Sequence, residues 1–254
     1  MNILITGCSG YIGKNIINFF IKKKSYNLTL LSRSKINYDY QNVKVVYYKN
    51  FDQIDFDYIL NDINIVIHLI SKQHSNLKNN NINFKSYYEV NVNITNKLIN
   101  EIDKKQIAKF IFVSTVKVYG EYTLKYDNFS LDSKKVPITN YAKTKLEAEN
   151  LIKKQLNTNI TNYTIIRLPL VYGGEEKGNF HLLKKIIKTG IPLPFKNINN
   201  SKSLLHIKNL LHFIDKIITS EKSNNMSFII SDDLKISTSE IIKILMNSLN
   251  KKNY

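Results

Sequence analysis

The 254-residue chain has a single cysteine, Cys8. That excludes an intramolecular disulfide and any metal cluster built on several thiolates. It holds no unbroken run of about 20 apolar residues, so no segment is expected to span a membrane. Met1 leads almost directly into a strand-like run, with no charged stretch before it. A signal peptide is therefore not expected, and the protein reads as cytoplasmic. Acidic residues are also scarce: 20 Asp and Glu stand against 37 Lys and Arg, a net charge of +17. Such an excess raises the question of a nucleic-acid partner. The lysines, however, are dispersed among asparagine and isoleucine, as in "KNNNINFK" and "FKNINNSK". Zinc-finger spacing and RNP-like aromatic motifs are both missing, so no nucleic acid is expected. A cationic surface of this kind draws in small anions instead. His68, His74, His181, His206 and His212 lack carboxylate or cysteine partners at metal-ligand spacing, and no metal is expected.

What is present begins with apolar runs of strand length: "NILIT", "LTLLS", "VKVVYY", "NIVIHLI", "KFIFVST" and "YTIIRL". Most are continuous rather than alternating, which suits strands buried on both faces of a parallel sheet. Helix-period segments lie between them. Ile12, Ile16, Ile17, Phe20 and Ile21 form one apolar stripe, and residues 87–102 and 141–155 read as further helices. Strand and helix alternating in this way predict a doubly wound α/β sheet.

From Pro169 onward the rhythm changes. Four of the eight glycines and three of the four prolines fall there. The segment reads as loops around one helix at 181–188, with a last helix running from Ser239 almost to Tyr254. Residues 1–170 are thus expected to form the sheet domain. Residues 171–254 are expected to form a smaller lobe interleaved with it. Residues 71–83, polar and rich in asparagine, read as a loop.

The first turn is "TGCSGYIG", with Gly7, Gly10 and Gly13 spaced three apart between a strand and a helix. Glycine there permits a tight turn and lets a phosphate approach bare backbone N–H groups. The helix N-terminus behind it favours an anion. Taken alone, the spacing is also met by an ordinary strand-to-helix turn. A second constellation gives the turn a context: "STVKVYG", followed by "NYAKTKLEAE". Tyr141 and Lys145 are four apart and share a helix face. A lysine beside a phenol is expected to lower its pKa, and a tyrosine so tuned shuttles a proton to or from a hydroxyl. Thr115, at a strand end, is placed to bond the same oxygen.

These stretches resemble the extended short-chain dehydrogenase/reductases, in their NAD-dependent nucleotide-sugar epimerase/dehydratase group. "VIHLIS", "VNVNITNKLI", "FVSTVKVYGE", "YAKTK", "RLPLVYGG" and "SLLHIKNLLHFI" follow in family order along nearly the whole chain. "STVKVYGE" with "KGNFHLLKKIIKTGIPLPF" most resembles bacterial UDP-sugar 4-epimerases and 4-ketoreductases of surface-polysaccharide pathways. The resemblance implies a Rossmann-like fold, a bound NAD or NADP, and a C-terminal lobe holding a nucleotide sugar, with a homodimer left open.

Roles carried over by the resemblance are as follows. Thr115, Tyr141 and Lys145 match the catalytic trio, Tyr141 as acid/base, Lys145 on the nicotinamide ribose and Thr115 on the substrate oxygen. Gly7, Gly10, Tyr11, Ile12 and Gly13 match the pyrophosphate turn. Leu69, Ile70 and Ser71 match the loop passing over the cofactor, Asn91 a cofactor-side asparagine, and Ser114 the nicotinamide pocket. Asn179 and Phe195 are substrate candidates, with helix capping and plain core as their respective alternatives. Lys202 stands where an arginine usually binds diphosphate, and offers charge without the bidentate fork. Tyr119, Tyr172 and His68 read as packing residues, and Arg167 as part of a buried polar link.

Further departures shape the functional reading. Ser32 and Arg33 close the second strand where an NAD enzyme usually has an acid, so Arg33 is a candidate for a 2′-phosphate, or stacks on adenine. Dehydratases carry Asp-Glu after the trio's threonine; Val116 and Lys117 stand here, which argues against dehydration. The chain also ends earlier than most relatives. The leading expectation is an NAD(P)-dependent 4-epimerase of a UDP-hexose or UDP-N-acetylhexosamine. The alternative is an NADPH-dependent reductase of a UDP-4-keto-6-deoxy sugar. A non-catalytic dinucleotide sensor is a third reading, against which the intact Thr-Tyr-Lys set argues.

Overall fold

In a computed structural model the described residues are 1–73, 84–123, 128–156, 158–174, 179–190, 198 and 200–249. The chain opens with β1 (Asn2–Thr6), α1 (Tyr11–Phe20), β2 (Asn27–Ser32), β3 (Val43–Tyr47), α2 (Phe56–Leu60) and β4 (Ile65–His68). There follow α3 (Phe84–Tyr88), a π-helical segment (Glu89–Asn93) and α4 (Ile94–Lys104). Next come β5 (Lys109–Thr115), α5 (Asn140–Gln155) and β6 (Asn162–Leu168). The remainder comprises β7 (Leu170–Tyr172), α6 (Asn179–Thr189), β8 (Lys202–His206), α7 (Ile207–Thr219), β9 (Met226–Ile229), β10 (Lys235–Ile236) and α8 (Thr238–Ser248).

Seven strands form one parallel sheet in the order β3-β2-β1-β4-β5-β6-β9. The fold is the expected Rossmann-like doubly wound sheet. The continuous apolar runs follow from burial on both faces. Ile3 and Ile5 of β1 face a layer made by α1 and α7, whereas Leu4 faces α2, α4 and α5. Ile111 and Phe112 on β5 divide in the same way. Side chains alternate across a strand, so every position is apolar when both faces are covered. The predicted stripe of α1 is buried through Ile16, Ile17 and Phe20.

The helix expected at 87–102 begins earlier, at Phe84, and is interrupted by the π-helical segment. The single helix expected near 181–188 spans Asn179–Thr189 and is joined by α7, whose apolar face packs into the sheet's core. The sheet's seventh strand, β9, follows α7. A second, three-stranded sheet (β10-β8-β7) has its own small core of Ile187, Leu204, Ile236, Ile241, Ile242 and Leu245. The last helix ends at Ser248, and residues 250–254, into which it was expected to run, lie outside the described residues. Most of the 71–83 loop also lies outside them.

The strand order reverses between β1 and β4, where Thr6 pairs with His68. In open α/β sheets the crevice at the C-terminal ends of such strands is where ligands settle.

Candidate functional site

The turn after β1 opens onto that crevice. Gly7 has φ +70°, and a Cβ there would lie 2.7 Å from the Ile70 nitrogen and the Leu69 carbonyl carbon. Only glycine lets the turn and the loop after β4 touch. A Cβ on Gly13 would lie 2.7 Å from the Cys8 Cα and the Gly7 oxygen, so glycine here sets the closeness of α1 to its own turn. Gly10 differs. It is exposed, and a Cβ there would meet only the Gly7 oxygen, at 3.3 Å. Packing does not demand a glycine at this position; the space above it is open. Gly10 is also the N-cap of α1, which has no side-chain cap and no acidic residue in its first turn. The N-terminus of α1 faces the opening, a cradle for an anion. Tyr11 and Ile12 flank it, half-buried against the core. The Tyr11 hydroxyl donates to the carbonyl of Gly173 in the "VYGG" segment.

Across the crevice, α5 is started by Thr139, whose hydroxyl accepts from the Ala142 N–H at 3.2 Å. This places Tyr141 in the first turn. The hydroxyls of Ser71, in the loop after β4, and Thr115, at the end of β5, lie beside that of the half-buried Tyr141 and favour its ionised form; the Ser71 hydroxyl itself donates to Asn91 Oδ1 at 3.3 Å. Lys145, one turn on, is fully buried, with Nζ 3.7 Å from the centre of the Phe112 ring. Burial pushes the Tyr141 phenol up to about 12, and the groups pulling it down are the hydroxyls of Ser71 and Thr115. Burial also pushes Lys145 down to about 7, with Glu149 opposing. Lowering of the phenol by Lys145 is thus not what this protein shows on its own. Loss of water penalises the charged form of each group, and the lysine sits over Phe112, one turn above Glu149.

Two buried side chains that the sequence reading underused hold this arrangement. Asn91, in the π-helical segment, is fully buried. Its Oδ1 accepts from the Lys72 N–H at 2.7 Å, and its Nδ2 donates to the Lys72 carbonyl at 3.1 Å and to Thr144 Oγ1 at 2.9 Å. Asn91 therefore reaches the site through the Ser71–Lys72 loop that it fastens to α5. Glu149 accepts from Ser114 Oγ at 2.6 Å and pairs with Arg167 at 2.6 Å. Arg167 in turn donates to the Tyr119 hydroxyl, and Tyr119 stacks on Phe129. Ser114 thus turns its hydroxyl inward, towards Glu149. A signal for Glu149 was available: it stands four residues after Lys145 and eight after Tyr141, on the buried face that also carries Ala148 and Ile152.

His68 is buried between Thr6 and Thr95. Thr95 spends its proton on the Asn91 carbonyl at 2.8 Å, so it accepts from His68 Nε2, and His68 Nδ1 accepts from Thr6. Burial, with Lys145 adding to it, pushes this imidazole down to about 3, and it stays neutral.

The model of the NAD dependent epimerase/dehydratase family matches residues 3–230. The chain belongs to this family. A UDP-glucose 4-epimerase of Vibrio cholerae is 31% identical over the whole chain and 77% of its own length. An N-acetyl-alpha-D-glucosaminyl-diphospho-ditrans,octacis-undecaprenol 4-epimerase of Escherichia coli O157:H7 is 24% identical over 99% of this chain and 73% of its own length. Among solved structures, the UDP-glucuronic acid 4-epimerase of Bacillus cereus in complex with NAD superposes with a TM-score of 0.85 at 23% identity. It covers 99% of this chain and 85% of that one, which is a likeness of fold.

For a member of an NAD-dependent family, the open cradle over Gly10 fits a dinucleotide pyrophosphate. Leu69 and Ile70, packed on Gly7, carry the loop that reaches Ser71. Arg33 is exposed at the end of β2, while Ser32 beside it is buried. Val116 and Lys117 form a 3-10 turn after Thr115, and Lys117 pairs with Glu121 at 2.7 Å. The second sheet places Lys202 exposed at the start of β8. Asn179 is the first residue of α6, and Phe195 lies outside the described residues. His206 packs edge-on against Tyr172, and His212 against Phe19. Among the described residues no group of three His, Cys, Asp or Glu is arranged to hold a metal, and no helix is long and apolar enough to cross a membrane.

Proposed function

We propose that this family member is an NAD(P)-dependent nucleotide-sugar 4-epimerase acting on a UDP-hexose or UDP-N-acetylhexosamine. The observation that carries the reading is the Tyr141 hydroxyl, beside those of Thr115 and Ser71, facing the same crevice as the open glycine cradle. Tyr141 takes the proton of the sugar's 4-hydroxyl and later returns it. Thr115 orients that oxygen, and Lys145 holds the nicotinamide ribose. When bound, the nicotinamide supplies a hydride acceptor and donor for C4. Between the two transfers the sugar turns to present its other face. The lobe from 171 onward, with Lys202 and Asn179, carries the nucleotide sugar. The two UDP-sugar or lipid-linked 4-epimerase relatives support the position of the chemistry on the ring. Surface-polysaccharide synthesis, a homodimer and a cytoplasmic location belong to the same reading.

The test is incubation with UDP-glucose, UDP-galactose and their N-acetyl counterparts, with catalytic dinucleotide, followed by NMR. Interconversion of the 4-epimers without net consumption of cofactor is the expected result. A second reading, reduction of a UDP-4-keto-6-deoxy sugar, is favoured by Arg33. Turnover that needs NADPH in stoichiometric amounts, with no epimer formed, would establish it in place of the first.

A further inference from the structure

We infer that Tyr11 is a positioning residue that couples the two halves of the site, so that a dinucleotide in the cradle tightens the binding of the nucleotide sugar; the inference rests on the functional reading above. Tyr11 is the first residue of α1, directly after the Gly10 cap. Its backbone therefore belongs to the cradle. Its side chain leaves in another direction. The hydroxyl donates to the carbonyl of Gly173, 162 residues further along the chain. Asn15, one turn on, stands beside the same segment. Its Nδ2 donates to the Tyr11 carbonyl at 2.8 Å, and a Cβ on Gly174 would lie 3.6 Å from its Oδ1. The first turn of α1 thus offers its N-terminus to an anion and its flank to residues 173–174.

From the other side, Gly173 is held by the second sheet. It has φ +101°, and a Cβ there would lie 2.5 Å from His206 Nε2, so the imidazole covers it closely. That ring is fixed in place. Its Nδ1 accepts from the Lys208 N–H at 3.2 Å, capping α7, and Tyr172 packs edge-on against it. Asp232, beyond β9, gathers the surrounding groups. It accepts from the Tyr172 hydroxyl at 3.2 Å, the His206 N–H at 2.8 Å and Asn209 Nδ2 at 2.7 Å. Tyr172 and His206 are also register partners on β7 and β8. Gly173 is therefore anchored to a cluster that joins β7, β8, α7 and the chain after β9. Lys202 starts β8, and Asn179 starts α6, the helix that follows the "VYGG" segment. These are the elements assigned to the nucleotide sugar.

Helices α1 and α7 also meet through Phe19 with His212, and Lys23 just past α1 pairs with Asp215. Those contacts lie at the opposite end of α1 from the cradle. The Tyr11 hydroxyl joins the cradle itself to the cluster. An anion bound by the first turn restricts the Tyr11 backbone. A tyrosine side chain has few torsions, so the restriction passes to Gly173. The ordering cost met by the first ligand is not met again by the second, which gives positive coupling without a change of shape. By linkage the gain is reciprocal.

The test is calorimetric titration of UDP into the full chain, with and without saturating NAD+, for wild type and Tyr11→Phe. Any co-purified dinucleotide is first released. The wild type is expected to bind UDP about 5-fold more tightly when NAD+ is present, the worth of about one hydrogen bond. The reverse titration, NAD+ with and without saturating UDP, should give the same factor. Tyr11→Phe keeps the ring and loses only the hydroxyl, and in it the factor should fall below about twofold. A purely structural role would shift both affinities or the melting temperature and leave the factor unchanged. Hydrogen exchange supplies a second readout: NAD+ should slow exchange at residues 171–174 in the wild type and not in the variant. Independent binding of the two ligands by the wild type would overturn the proposal. So would a variant that keeps the full factor. A folded protein that binds neither UDP nor NAD+ would remove the functional reading itself, an outcome distinct from both.

Discussion

Asn91 grips the backbone of Lys72 at both ends, accepting from its N–H at 2.7 Å and donating to its carbonyl at 3.1 Å. A single buried amide thereby fixes the loop that carries Ser71 to Tyr141. Asn91→Ala removes both bonds and the one to Thr144. Each group left unpaired in the interior costs about 1–3 kcal/mol. Urea unfolding should show a loss of that order, and turnover should fall further than stability alone explains, because Ser71 is no longer held against the phenol. Unchanged unfolding in urea would show that the loop is held by other contacts.

Tyr141→Phe should leave fold and dinucleotide affinity intact and remove most turnover. The ring fills the same space, while the proton carrier is gone. General acid–base groups contribute roughly 10²–10⁴-fold. Steady-state rates beside a binding titration check this, and a Phe variant at near wild-type rate would assign the proton transfer to another group.

The three glycines of the first turn should separate. Gly10→Val places its side chain in the open cradle, where a Cβ has only one neighbour. Dinucleotide affinity is expected to vanish while the melting temperature stays close to wild type. Gly13→Val instead drives a side chain into the backbone of Cys8 and Gly7. That variant should lose stability first, by about 1–3 kcal/mol or more from overpacking. Equal melting losses in the two would mean that Gly10 is also a packing residue.

Lys145 predicts a pH dependence. Its ordinary value of 10.5 falls to about 7 in the folded protein. Between those two values the unfolded chain holds a proton that the folded chain has released, so stability rises with pH across that window. Below about 7 both forms are protonated, and the cost of burying the ammonium is present in full. Lys145→Met has no such cost. The stability of wild type relative to the Met variant should therefore improve steadily from pH 7 to pH 10. Chemical denaturation of both proteins across that range measures it; a constant difference would mean that the ammonium is well solvated.

Of the six strands from β1 to β6, all but β3 were legible because burial on both faces makes most of their residues apolar; β3, an edge strand with no buried residue, showed itself through Val43, Val45 and Val46. The later elements were not. β7 and β10 are three and two residues long, and Leu170 is 43% exposed, so they exist through pairing rather than pattern. α7 was visible only as a family stretch, although Leu210, Leu211, Ile214, Ile217 and Ile218 give it a clear apolar face. In the site, the trio and the glycine turn were readable from spacing. Glu149 was readable only in its face, which it shares with Tyr141 and Lys145, and not in its role, since a glutamate on a lysine-rich helix ordinarily faces water and its partner Arg167 comes from a different element, β6. The direction of the phenol's titration was likewise hidden, because spacing places Lys145 on the right face but does not reveal that both groups have lost their water.

The position of β9 at the edge of the large sheet has a consequence for synthesis on the ribosome. Until residues 226–229 emerge, β6 offers Thr164, Ile165, Ile166 and Arg167 as an unpaired parallel edge. For most of that interval α1 also lacks α7, Ile207–Thr219, which covers it. While the segment between β6 and β9 is being made, the nascent chain therefore carries an open strand and, until α7 is complete, an uncovered greasy helix, the state in which edges pair with other chains. A fragment released near residue 170 would keep that state permanently and is the form in which this protein should aggregate.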